Sequence, residues 1–373
     1  MVRLAMNGAQ RRRYSRHLLI PEVGLSGQER LAAAKALVVG AGGLGSPALQ
    51  YLTAAGIGRV GIVDDDAVDE TNLQRQTIFT TADVGANKAV VAATRLHALN
   101  PHVVVEAFPF RLDAENARSL VRGYDVVLDC TDRFPTRYLV NDACYLEKKI
   151  DVYASIFRFD GQLSVLCAPD GPCYRCLYPQ APPEELTPTC ADGGVLGALA
   201  GLVGAWQAGE ALKVVLGIGE PLVGRLLLVD SLAAHVREVR FDREPACELC
   251  GAHPTITGIE ERGYERPAVQ SDVAEIEADG LDEALRDATL LDVREPHEAV
   301  LGSIAGAVQI PASQLDERLS ELDSAVRYIV ACRVGMKSLW AVRRLREAGF
   351  ERLLHLRGGL LAYAARQEEF EFF

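Results

Sequence analysis

The chain has 373 residues, enough for two or three domains that each bury their own core. Hydrophobic residues make up 49% and charged residues 24%, as in ordinary globular proteins. The formal net charge of -12 excludes a general nucleic-acid binder and a protein held on an anionic membrane, because both need a basic footprint.

The start, MVRLAMNGAQRRRYSRH, is basic but lacks an apolar h-region and a cleavage site, so the reading is a cytoplasmic chain. Its nine cysteines are then expected as thiols, metal ligands or catalytic groups rather than disulfides. Residues 36–40, ALVVG, read as a buried strand, and GAGGLGSPALQYLTAAG as a turn and a helix. RVGIVDDD, residues 59–66, is a second strand ending in acids. KAVVAATRLHALN is a helix stopped by Pro101, and HVVVEAFPF and YDVVLDCTD are further strands. Alternating strands and helices predict a mostly parallel, Rossmann-like α/β sheet, which binds ligands at the C-terminal strand ends. GGVLGALAGLVGAWQAG, residues 193–209, falls short of a membrane span and reads as a buried helix.

From about residue 251 the chain turns polar, with prolines and glycines and no periodicity. A smaller α/β unit follows. TLLDVR and AVRYIVA read as strands, SLWAVRRLREAG as a helix, and ERLLHLRGGLLAYAAR as strand, turn and helix. The expected organisation is a domain over 1–252, a linker over 253–270 and a second domain over 271–373.

GAGGLG supplies Gly40, Gly42, Gly43 and Gly45 between a strand and a helix. Such glycines let backbone approach phosphate, and the helix N-terminus offers free N–H groups to an anion. Asp64, at the end of the next strand, suits a ribose hydroxyl. This much fits a NAD oxidoreductase as well as an ATP user. The polar set that follows favours ATP: Asn72, Arg75 and Gln76 in TNLQRQ, Lys88 at a helix start, and Asp132 in LDCTD. Phosphoryl chemistry needs cations where charge builds, and an acid among them suits Mg²⁺.

GAGGLGSPALQYL, DDDAVDETNLQRQ, GANK and LDCTDR together resemble the adenylyltransferases that activate ubiquitin-fold sulfur carriers for molybdopterin and thiamine synthesis, relatives of ubiquitin-activating enzymes. The likeness covers roughly residues 10–250. It implies ATP rather than NAD, with Gly43 at the phosphates and Asp64 on the ribose. It sets Asn72, Arg75 and Lys88 around the triphosphate, and Asp132 near Mg²⁺. Arg16, in RYSR, would reach the partner subunit's ATP, which implies a homodimer. Thr71 stands where serine is usual and Arg133 where asparagine is usual, so Arg133 bears on contacts at the nucleotide edge.

Cys173 and Cys176 form one CxxC pair, and Cys247 and Cys250 another. Four thiolates at this spacing suit a structural, tetrahedral Zn²⁺ that staples two distant segments, ahead of a pair of redox-active motifs. The resemblance implies zinc as well. Cys190, in TPTCADGGVLG, follows a proline-rich loop. The resemblance gives a cysteine here a thioester or mixed disulfide with the carrier. Cys130, Cys144 and Cys167 read as small buried thiols.

CRVGMKS, residues 332–338, is a strand–cysteine loop–helix layout. Loop N–H groups and the helix start converge on its centre and favour an anion on Cys332. No acid interrupts the loop, and Arg333 and Lys337 are expected to add positive charge. TLLDVREPHEAVLGSIAGAVQIPASQL and IVACRVGMKSLWAVRRLREAGF resemble the rhodanese sulfurtransferases over roughly residues 270–367. That likeness implies a persulfide on Cys332 and a framing role for Asp292 and Arg294. Departures are Ser303, Ala305, Lys337 and Tyr363, in place of histidine, proline, arginine and tryptophan. A tyrosine-phosphatase reading ranks low, because Lys337 stands where that loop needs arginine.

The two halves imply one pathway. ATP and Mg²⁺ adenylate the C-terminal glycine of a small ubiquitin-fold carrier ending Gly-Gly. The Cys332 persulfide, loaded by a donor such as a cysteine desulfurase or thiosulfate, displaces AMP, and Cys190 helps release the thiocarboxylate. The competing reading is a second domain that only docks the carrier. No nucleic acid and no membrane are expected as partners.

Overall fold

Short aliphatic runs, buried on both faces, build the parallel half of a large sheet. The computed structural model of the chain describes residues 6–181, 194–260, 264, 273–300 and 302–366, which fall into two compact units. The first unit holds β1 (Lys35–Val39), β2 (Arg59–Val63), β3 (Val104–Phe108), β4 (Val126–Asp129) and β5 (Ile150–Phe157). They lie parallel in the order β3-β2-β1-β4-β5. All but the first residue of β1 and β2, and every residue of β4, are buried, as in sheets covered on both faces. Strand order reverses between β1 and β4, so a crevice opens at their C-terminal ends.

The sheet then continues in a way the periodicity did not announce. β6 (Asp160–Leu166), β7 (Arg225–Asp230) and β8 (His235–Arg240) extend it as an antiparallel meander beyond β5. β8, with the sequence HVREVR, is exposed along its whole length and forms the sheet edge.

Three helices matter for the site: α1 (Gly45–Ala55), α2 (Lys88–Leu99) and α3 (Phe134–Leu146). A fourth, α4 (Gly197–Leu216), is long and apolar enough to cross a membrane by length and composition alone. Half of that stretch is instead buried in this fold, as the sequence reading expected. The fully buried Gln207 donates from Nε2 to the carbonyls of Asp129 (2.8 Å) and Val152 (2.7 Å), joining α4 to β4 and β5. Gly204 allows a close approach to α1, because a Cβ there would stand 2.3 Å from Leu44 O.

The second unit is a five-stranded sheet, all parallel, of β9 (Glu275–Ile276), β10 (Thr289–Asp292), β11 (Val308–Gln309), β12 (Tyr328–Ala331) and β13 (Leu353–Leu356). The order is β11-β10-β12-β13-β9, with the fully buried β12 at the centre. Helices α5 (Met336–Glu347) and α6 (Gly359–Ala364) follow β12 and β13.

Candidate functional site

The first site is the turn between β1 and α1. Gly40 sits at φ 94, in the left-handed region, and a Cβ there would lie 3.0 Å from Cys130 O. Gly45 cannot be anything larger, because its Cβ would fall 1.9 Å from Gly40 O. The turn therefore folds onto itself, with Gly42 and Gly43 half-exposed ahead of the buried first turn of α1. Gly43 lies against Arg75, whose Cδ would be 3.5 Å from a Cβ at that position.

Asp64, at the end of β2, accepts N–H bonds from Ala41 (2.7 Å) and Asp66 (3.0 Å). Burial pushes its carboxyl above the usual range, against the pull of Lys88 and these two N–H groups. Lys88 opens α2, and Asn87 caps that helix by accepting from Val90 N at 3.1 Å. The Lys88 side chain is 7% exposed, and its ammonium lies 2.8 Å from Asp66 Oδ2. Such a buried cation beside a half-exposed glycine turn can meet a phosphate.

Arg75 and Asn72 are half-buried, and Arg75 donates to Thr71 O at 3.1 Å. Gln76 is buried beside Gly42, and its Oε1 has no partner among the described residues. Asp132 and Arg133 are exposed in the loop after β4. Arg16 is exposed on the short helix Ser15–Leu18. Cys190 lies outside the described residues. Sequence reasoning missed Arg137. It is buried on α3, donates to Thr131 O and to Ser155 Oγ (2.9 Å), and holds the loop that carries Asp132.

The second cluster is the cysteine quartet. The sulfurs of Cys173, Cys176, Cys247 and Cys250 all lie within 4.8 Å of one another. The separations Cys173–Cys176, Cys173–Cys247 and Cys176–Cys250 are 3.9, 3.6 and 3.3 Å. A tetrahedron with zinc–sulfur bonds of about 2.3 Å has an edge of about 3.8 Å, so the donor set fits that ion. Glu244 N donates to Cys176 Sγ (3.3 Å) and Cys250 N to Cys247 Sγ (3.5 Å), as suits thiolate ligands. Cys130, Cys144 and Cys167 are buried and not members of this quartet, though Cys167 packs in the same core cluster, and burial pushes each thiol well up. Arg175, between the first two ligands, makes a two-pronged pair with the buried Asp142, which also accepts from Tyr264 Oη at 2.6 Å.

The third cluster lies in the second unit. Cys332 follows β12 and is 1% exposed. Its Sγ accepts from Gly335 N (3.2 Å) and Ser338 Oγ (3.4 Å). Gly335, at φ 98, makes the curl, and the start of α6 holds the loop from behind through Leu360 N donating to Cys332 O at 2.9 Å. Lys337, expected to add charge to the loop, has that charge offset by an acid. Its ammonium is paired at 2.6 Å with Glu298, a buried acid on the neighbouring helix Pro296–Ala299. Burial pushes the Glu298 carboxyl up, but Lys337 and Glu295 N–H more than offset this and leave it below its usual range. Asp292 and Arg294 form a buried pair at 2.7 Å, and Arg294 also donates to Gly302 O at 2.6 Å, fixing the end of β10.

The ThiF family matches residues 14–250, and the rhodanese-like domain matches residues 277–366. The chain is 43% identical over 372 residues to a probable adenylyltransferase/sulfurtransferase MoeZ of Mycobacterium tuberculosis, covering 95% of this chain and 93% of that protein. It is 55% identical over 248 residues to a sulfur carrier protein adenylyltransferase of Thermus thermophilus, covering 65% of this chain and 92% of that protein. Among solved structures, that of MccB from E. coli shares the fold at a TM-score of 0.56 and 23% identity, covering 65% of this chain and 73% of that one.

Proposed function

Because this chain belongs to the ThiF family and carries a rhodanese-like domain behind that region, we propose that it adenylates a ubiquitin-fold sulfur carrier and then thiolates it. The observation that carries this reading is the presence of both chemistries in one chain. One is a half-exposed glycine turn with a buried lysine; the other is a cysteine sulfur cradled by two donors.

The carrier's terminal carboxylate attacks the α-phosphorus of ATP and pyrophosphate leaves. The glycine turn and the N-terminus of α1 receive phosphate, and Asp64 receives a ribose hydroxyl. Lys88, Arg75 and Asn72 meet the developing charge. Asp132 is the acid offered to Mg²⁺, which when bound spreads charge over the phosphate oxygens. The cysteine quartet would hold Zn²⁺ in a structural role. In a homodimer, the state the resemblance implies, Arg16, exposed on its short helix, would reach the nucleotide of the second copy.

A donor such as thiosulfate or a cysteine desulfurase leaves a persulfide on Cys332. Its terminal sulfur attacks the acyl carbon and AMP departs, giving an acyl disulfide. A thiol, assigned to Cys190, then attacks the Cys332 sulfur and releases the thiocarboxylate. The resulting disulfide is reduced by a cellular dithiol in the cytoplasm.

The test is mass spectrometry of a carrier ending in Gly-Gly, incubated with ATP, thiosulfate and the protein. Wild type adds about 16 Da, sulfur for oxygen, as covalent sulfur transfer requires. Cys332→Ala should form the adenylate and stop there. If that variant still thiolates the carrier, the persulfide role is lost and the second domain is a docking module.

A further inference from the structure

One side chain outside these sets stands directly behind the sulfur cradle. His355 lies on β13, in register with Val330 of β12 on one side and Glu275 of β9 on the other. It is 5% exposed. Its Nε2 is 2.8 Å from Gly335 O and 3.1 Å from Ser338 Oγ, and its Nδ1 is 3.3 Å from Glu275 Oε1. A carbonyl and a carboxylate can only accept. With Gly335 O the nearest partner of Nε2, an N–H on that nitrogen donates to the carbonyl, and Nδ1 faces the Glu275 carboxylate.

Ser338 adds a second count. It has one hydroxyl proton, and with Nε2 of His355 protonated the acceptors in its reach are Gly335 O at 3.0 Å and Cys332 Sγ at 3.4 Å. When His355 donates to Gly335 O, the proton of Ser338 is free for the sulfur. Gly335 has no side chain to hold its left-handed conformation, so the anchor on its carbonyl also keeps its N–H on Cys332.

We propose that His355, paired with Glu275, is a positioning residue for sulfur transfer: it pins the Gly335 carbonyl so that Gly335 N–H and Ser338 O–H both serve an anionic sulfur on Cys332. This inference rests on the reading of Cys332 as the sulfur carrier. It concerns the thiolate and the persulfide alike, since both are anions at the same point of the loop.

The test uses the full chain with thiosulfate as donor and cyanide as acceptor. His355→Ala should lower kcat about tenfold or more, as expected when a hydrogen bond to a charged group is lost. KM for thiosulfate should change by less than about threefold, because the donor itself does not touch the ring. His355→Gln keeps an N–H toward Gly335 O and should recover most of the rate. ¹⁵N NMR of histidine-labelled protein, with His355 assigned by its loss in His355→Gln, should show the proton on Nε2, the nitrogen facing Gly335 O. A bare Nε2 in the wild type, or a His355→Ala rate within about twofold of wild type, overturns the proposal. Cys332→Ala separates the two readings. If it stays active, the sulfur role of Cys332 is wrong; if it is dead while His355→Ala is normal, only the positioning role fails.

Discussion

Replacing Lys88 with methionine keeps the apolar stem and removes the buried charge. The ammonium now rests 2.8 Å from Asp66, whose side chain is 66% exposed while that of Lys88 is 7% exposed. An exposed carboxylate is well hydrated and gives up its partner at little cost. A phosphate oxygen about 3 Å from the same ammonium, at an effective dielectric of about 20, would gain about 5 kcal/mol. Part of that repays the lost contact with Asp66, which leaves about 3–4 kcal/mol, the usual worth of one charge-stabilising donor. Carrier-dependent exchange of radiolabelled pyrophosphate into ATP measures the step directly. Lys88→Met should lower kcat by about 10²–10³ and shift KM for ATP much less, because the charge it meets develops in the transition state. Lys88→Arg should not rescue it, because a buried pocket sized for an ammonium does not take a planar guanidinium. Exchange within about fivefold of wild type in Lys88→Met would refute the placement of this lysine at the phosphates.

Two other outcomes follow from the same geometry. Purified protein should hold one equivalent of zinc by elemental analysis, and Cys176→Ser should lose it together with several degrees of Tm, since a structural site contributes folding energy. Glu147 accepts from Arg118 Nε (2.7 Å) and Arg122 Nε (2.7 Å), which joins α3 to the helix Ala117–Arg122; the Arg122 bond, ahead of the others, lowers its carboxyl to about 2. A depressed carboxyl stabilises the fold above its ordinary value of 4.5 and loses that contribution as pH falls toward about 2. Glu147→Gln should therefore cost about 1 kcal/mol at pH 7 in urea titration, a modest figure because both arginines are partly exposed, and the gap should narrow below pH 4.5.

The parts that could be read from the sequence are those whose chemistry is local. β1, β2 and β4 are legible because burial on both faces writes them as unbroken aliphatic runs. The glycine turn and the two CxxC pairs are legible for the same reason, since each closes on residues a few positions away. β8 is not, because an edge strand exposed throughout carries no apolar signature. The pairing of Lys337 with Glu298 is not legible either. The acid lies 39 positions upstream, and only the docking of two helices brings it to the loop. His355 is the clearest case. Its neighbours are set by β9 joining β13, a register no motif encodes.

The cysteine quartet has a topological consequence. A metal on those four sulfurs would close the chain into a ring of about 70 residues, from Cys176 to Cys247, that contains α4 and the β7–β8 hairpin. A protease that cuts inside that ring would nick the protein without freeing a fragment. The two pieces would migrate as one species until a chelator opened the clasp.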